Sequence, residues 1–131
     1  MHVLGLVLAM WAFAPGVVAP STSLTITARA GDGSPPKTWT LRCAPARGTL
    51  PKPGRACVQL ARARAPFAPV PRGVMCSQIY GGPQTAHVVG VFRGQRVNAG
   101  FSRRDGCQTA RWNRVAFLFP IFTGTLPPPQ R

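Results

Sequence analysis

Acidic side chains are almost missing from this chain. Asp32 and Asp105 are the only carboxylates set against 16 lysines and arginines, and there is no glutamate. That excludes paired-carboxylate catalysis, which needs two carboxyl groups at one site. Histidine is equally scarce, with only His2 and His87. Neither is spaced with the cysteines as zinc ligands are, and no CxxC pair occurs, so no metal site is expected. His87 falls in an expected strand, where a half-exposed structural histidine is the better reading than a base serving a cysteine nucleophile. Gly-rich phosphate loops and serine elbows are absent. No cofactor and no enzymatic activity are therefore expected. Long apolar runs are lacking too: Val3 to Ala14 is too short to span a bilayer, which argues against a membrane protein.

What remains is basic and rich in turns. The 131 residues include 14 glycines and 15 prolines, a mix that suits short strands better than long helices. The arginines are scattered, and only Arg103 and Arg104 are adjacent. That spacing describes solvated faces rather than a binding tail. Trp39, Phe92 and Trp112 lie among arginines but belong to no nucleic-acid signature, so no nucleic-acid partner is expected. A body of about 110 residues buries only a modest core, and secreted domains of that size commonly add disulfides. Four cysteines, Cys43, Cys57, Cys76 and Cys107, fit that class.

The N-terminal apolar stretch is expected to be a signal peptide over residues 1–19. Val17 and Ala19 stand at the minus-three and minus-one positions of a cleavage site, with cuts anywhere from 16 to 23 as alternatives. Secretion also accounts for the cysteines. Alternation then predicts strands over Leu24–Ala30 and Thr38–Cys43, joined as a hairpin by Gly31-Asp32-Gly33-Ser34-Pro35-Pro36. Gly48–Gly54 reads as loop, because Pro51 and Pro53 interrupt it. Arg55–Arg64 reads as a short helix with Cys57, Leu60 and Ala61 on one face. Three prolines carry the chain over Ala65–Pro71. Thr85–Phe92 and Gln95–Phe101 form a second hairpin about Arg93-Gly94, Arg103–Gly106 is loop, and Val115–Phe119 is a fifth strand. Residues 120–131 are expected to be an extended Pro-rich tail.

Four cysteines allow three pairings, and the coarse layout favours Cys43 with Cys57 and Cys76 with Cys107. Between the hairpins lies Met75-Cys76-Ser77-Gln78-Ile79-Tyr80-Gly81-Gly82-Pro83, an extended segment that leaves the domain and exits through a break. By itself it is an exposed loop pinned by a disulfide.

Several of these residues match a family. Cys43-Ala44-Pro45, Gly48-Thr49, Gly54 to Cys57 and Leu60 resemble the first disulfide region of the Streptomyces subtilisin inhibitor-like proteins, and Met75-Cys76 to Tyr80 resembles their reactive-site loop. Gly90-Val91-Phe92, Gly94-Gln95-Arg96-Val97, Phe101-Ser102, Cys107 and Val115 to Phe119 follow in the same order. The resemblance spans roughly Leu24 to Phe119, so a domain over 24–119 is expected. It implies an α+β fold: a five-stranded antiparallel sheet, two short helices and two disulfides with nearest-neighbour pairing. It also implies a secreted inhibitor of serine proteases, subtilisin-like first and trypsin-like second, that pairs as a homodimer through its sheets. The implied reactive bond is Gln78–Ile79, with Ser77, Cys76 and Met75 at P2, P3 and P4 and Tyr80 on the primed side. Departures from the family pattern are specific. Gln78 is neither the apolar P1 that suits subtilisin nor the basic one that suits trypsin. Ser77 stands where proline is frequent, and Gly81-Gly82 where Asp-Pro is typical. Arg103-Arg104-Asp105-Gly106 replaces a shorter segment with a supporting asparagine. The alternative reading is a non-inhibitory secreted basic binding protein on the same scaffold.

Overall fold

The computed structural model describes residues 21–121. The signal peptide and most of the tail expected from the sequence lie outside the described residues. Four strands alternate between an apolar and a polar face: β1 Thr22–Arg29, β2 Lys37–Cys43, β3 Thr85–Phe92 and β4 Gln95–Ser102. They form one antiparallel sheet in the order β2-β1-β3-β4. The register places inward residues opposite one another: Leu24 faces Leu41, Ile26 faces Val88, Val88 faces Ala99, and Ala86 faces Phe101. All of these residues are buried. Period-two alternation of this kind fixes register, because a one-residue slip would turn every inward side chain to water.

Two helices cover the apolar face. Helix α1 (Pro53–Arg62) packs against β2, and α2 (Gly106–Arg114) packs against β4. Helix α1 begins at Pro53, inside the stretch expected as loop. Proline is tolerated at the first helical position, where its missing N–H would have no partner in any case. Its buried face is Ala56 and Leu60, with Cys57 half-buried beside them, while Ala61 is exposed.

The expected five-stranded sheet has four strands. Val115–Phe119, read as the fifth, is the C-cap of α2 followed by a 3-10 turn over Ala116–Leu118. Its buried residues are Val115, Leu118 and Phe119, a three-residue spacing rather than strand alternation. The segment completes the core beneath α2. Phe119 lies 4.6 Å from Trp112 and 5.3 Å from Phe101 between ring centroids. The cause is local: α2 runs directly into the segment, leaving no room for a turn to a new strand.

The outer face of the sheet is open and carries Thr25, Thr27, Thr38, Thr40, His87 and Asn98. His87 there hydrogen-bonds Asn98 Oδ1 at 2.6 Å through Nε2, as a structural histidine. Among the described residues, no helix is long and apolar enough to cross a membrane.

The 3-10 arrangement has a direct test. Leu118 is fully buried, whereas a strand would turn it away from the face shared by Val115 and Phe119. Leu118→Ala is expected to cost about 2–5 kcal/mol in urea unfolding, the range for a buried leucine. A loss of a few tenths would restore the strand.

Candidate functional site

Residues 74–80 have no regular secondary structure and stand out from the body. Met75 is 96% exposed, Ile79 72% and Tyr80 65%, and such a cluster of large exposed apolar side chains in one short loop is the kind that marks an interaction site. Ser77 and Gln78 are exposed too, and Cys76 is half-buried.

The loop is held on both sides of Gln78–Ile79. Cys76 is bridged to Cys107, the second residue of α2, with a Cα–Cα distance of 5.3 Å. The next residue, Ser77, accepts a hydrogen bond at its carbonyl from the Gly106 N–H at 2.9 Å. Beyond the tip, the Gly81 N–H donates to the Arg103 carbonyl at 2.6 Å. Among the described residues, Gln78, Ile79 and Tyr80 have no backbone hydrogen bond to the body, so three residues bow outward between two clamps. The Gln78 amide folds back and donates through Nε2 to the Cys76 carbonyl at 3.2 Å.

Glycine stands at both clamps, and at Gly106 a side chain would have to turn the Ser77 hydroxyl aside. A Cβ on Gly106 would lie 2.1 Å from Ser77 Oγ, and one on Gly81 would lie 2.7 Å from Thr109 Oγ1 and 3.0 Å from the Arg103 carbonyl oxygen. The short Arg103–Gly106 segment, expected as plain loop, is therefore the support of the exposed loop, through Arg103 O and Gly106 N. Asp105 is the N-cap of α2, and its carboxylate accepts from the Gln108 N–H at 2.9 Å. This side chain satisfies a helix-end donor and sets the first turn, which carries Gly106 and Cys107. Two short helices were expected from the family resemblance, but the residue pattern did not place the second one here. The Asp105 to Gln108 spacing of an N-cap and its third helical residue was the signal available.

The other bridge, Cys43–Cys57, spans 5.7 Å between Cα atoms and fastens the end of β2 to α1. Both pairings are the ones expected. Neither bridge leaves a thiol: no described cysteine is free, so nucleophilic cysteine chemistry has no group to run on. Among the described residues, Cys76, Asp105 and Cys107 bring potential metal ligands within 4.8 Å of one another. The two sulfurs are bonded to each other and the carboxylate caps α2, so the group does not supply a metal-ligand set.

Charge is kept off the loop tip. Residues 74–82 carry no ionisable group except the Tyr80 phenol, while Arg72, Arg103 and Arg104 flank them. Arg104 sits 3.8 Å from Asp105 with its side chain 73% exposed, a pair that contributes little in water.

The family model described as subtilisin inhibitor-like matches residues 19–103, which include the exposed loop, its Arg103 clamp and three of the four cysteines. Subtilisin inhibitor-like protein 1 of Streptomyces cacaoi is 30% identical over 112 residues, covering 82% of this chain and 98% of its own length. Subtilisin inhibitor-like protein 2 of Streptomyces rochei is 36% identical over 113 residues, covering 81% and 99%. Streptomyces caespitosus sermetstatin, solved in complex with Bacillus licheniformis subtilisin, is similar with a TM-score of 0.47 and 26% identity, over 72% of this chain and 96% of that one. With the loop, its bridge and the sheet beneath it in place, the chain belongs to the subtilisin inhibitor-like family.

Proposed function

We propose that this protein is a secreted, non-enzymatic inhibitor of serine proteases, subtilisin-like enzymes first, and that it acts by presenting Gln78–Ile79 as a substrate-like bond. The observation that carries this reading is the pair of clamps and the bridge around three exposed residues. An extended segment can add to a protease cleft as a strand, where main-chain hydrogen bonds give affinity and side chains give specificity. Holding that segment in shape beforehand removes the cost of ordering it on binding. The Gln78 carbonyl would lie against the catalytic serine and its oxyanion donors as a substrate carbonyl does. If the bond is cut, the Cys76–Cys107 bridge spans the cut, and the new amine stays beside the carbonyl it left.

Met75 at P4 is apolar and exposed, which suits the apolar S4 pocket of subtilisin-like enzymes. Gln78 at P1 limits affinity for such a target, because an amide entering an apolar pocket without partners costs about 1–3 kcal/mol. Its own bond to the Cys76 carbonyl must also be released for the side chain to enter. Trypsin-like enzymes rank second, since a neutral amide cannot pair with an acid at the base of the pocket. Export through the expected N-terminal signal places both disulfides in an oxidising compartment. Self-association through the sheets would bring Arg29, Arg42 and Arg96 of two copies together, so any dimer should strengthen as salt screens them.

Titration against subtilisin should show near-stoichiometric loss of activity, and retention of full activity at large molar excess would end the proposal. Gln78→Met is expected to tighten inhibition by about tenfold or more, the affinity equivalent of the amide penalty. Cys76→Ser combined with Cys107→Ser should turn the inhibitor into a consumed substrate, seen as protease activity that recovers with time. Gly106→Ala should weaken inhibition by roughly tenfold through loss of preorganisation, with partial rescue by Ser77→Ala, which removes the clashing hydroxyl.

A further inference from the structure

A second feature of the body lies where the sheet meets α2, next to the segment that carries the loop clamps. Where β4 passes into α2, the sheet and helix line an open concavity of about 670 Å3. Its floor includes the cross-strand row Thr27, His87 and Gly100. Arg29, Arg104 and Arg111 also line it, and among the described residues no carboxylate does; Asp105, 3.8 Å from Arg104 Nε, lies outside the lining.

Arg111 is the anomaly. It is only 7% exposed, in a position where charged side chains are normally paired. Its Nε donates to the Ala68 carbonyl at 3.0 Å, and its Nη1 to the Gly100 carbonyl at 3.0 Å and to Gln108 Oε1 at 2.9 Å. Its guanidinium lies 4.6 Å from the Phe101 ring centroid. Every one of these partners is neutral. Nη2 donates to no acceptor among the described residues. Burial and then Arg114 push the guanidinium below its ordinary pKa, as expected for a desolvated cation without a counter-ion. Carbonyl oxygens satisfy donors but do not neutralise charge, so a buried cation facing an acid-free basin leaves an anion's place open.

We propose that this concavity binds a multivalent oxyanion of the phosphate type, with Arg111 as its buried anchor and Arg29 and Arg104 as its rim. A guanidinium presents a planar fork of donors that matches two oxygens of such a group, and two further arginines supply the remaining charge. Gly100 keeps the floor open: a Cβ there would have only His87 Nδ1 near it, at 4.0 Å. This site is independent of the inhibitory reading and would stand if that reading failed.

The probe is inorganic pyrophosphate, with inorganic phosphate and chloride as comparisons, added to the full chain at constant ionic strength. Isothermal titration should give one saturable site for pyrophosphate, weaker binding of phosphate and none of chloride. Saturation should also raise the melting temperature. Gly100→Val fills the floor without changing charge and suits a strand. Arg29→Ala with Arg104→Ala removes the rim while leaving the buried tie of Arg111 intact. Each variant should weaken pyrophosphate binding by about tenfold or more. The absence of a saturable site, or unchanged binding by Gly100→Val, would overturn the proposal, since the attraction would then be diffuse charge rather than a built site. If Gly100→Val does not fold, unchanged binding by the double arginine variant overturns it instead.

Discussion

The exposed loop depends on one short junction, in which two consecutive residues of the loop meet two consecutive residues at the start of α2. Cys76 is bonded to Cys107, and the Ser77 carbonyl accepts from the Gly106 N–H. A disulfide alone would restrain the loop about a flexible link. The hydrogen bond beside it fixes which way the chain leaves that link, since the carbonyl must point at the helix terminus. The base of the loop is thus tied to the first turn of α2, and that turn is capped by Asp105. Trp112, one turn and a half further on, seats the helix in the core beside Phe119. Arg111 ties the same helix to the edge of β4 through the Gly100 carbonyl, and to the carbonyl of Ala68 in the segment leading to the loop. Order in the core reaches the loop tip through these contacts in sequence.

Charge is arranged to leave that tip neutral. A net charge of +14 sits on the chain, yet the residues from Val74 to Gly82 contribute none of it. An uncharged tip offers shape, main-chain groups and apolar or amide side chains, while the positive field of the body is long-ranged and screened by salt. The same excess of cations leaves Arg111 without a carboxylate in the interior, so one compositional fact bears on both surfaces.

The hairpins were legible because their information is carried by side chains at period two. Thr85–Phe92 was read to the residue, with Arg93-Gly94 as its turn. β1 and β2 were read to within two residues. Val115–Phe119 was not, because five nearly all-apolar residues fit strand and 3-10 spacing equally well until the helix before them is known. That helix was hidden in turn: its buried residues are the adjacent Arg111 and Trp112, which make no helical period. The exposed loop itself was legible through its cysteine and its family likeness. Its two clamps were not, since bonds between main-chain atoms leave no trace in residue type. Only Gly81 and Gly106 mark them, and glycine has many reasons to occur.

If Gln78–Ile79 is offered to a serine protease as a substrate-like bond, it is held across the Cys76–Cys107 bridge when cut. Mass spectrometry of the protein after incubation with active subtilisin, acid-quenched and run with and without reductant, tests it most directly. One new terminus at Ile79, two fragments that separate only on reduction, and an enzyme still inhibited at the moment of quenching are expected. Cleavage elsewhere in the chain, or degradation beside a fully active enzyme, would contradict it.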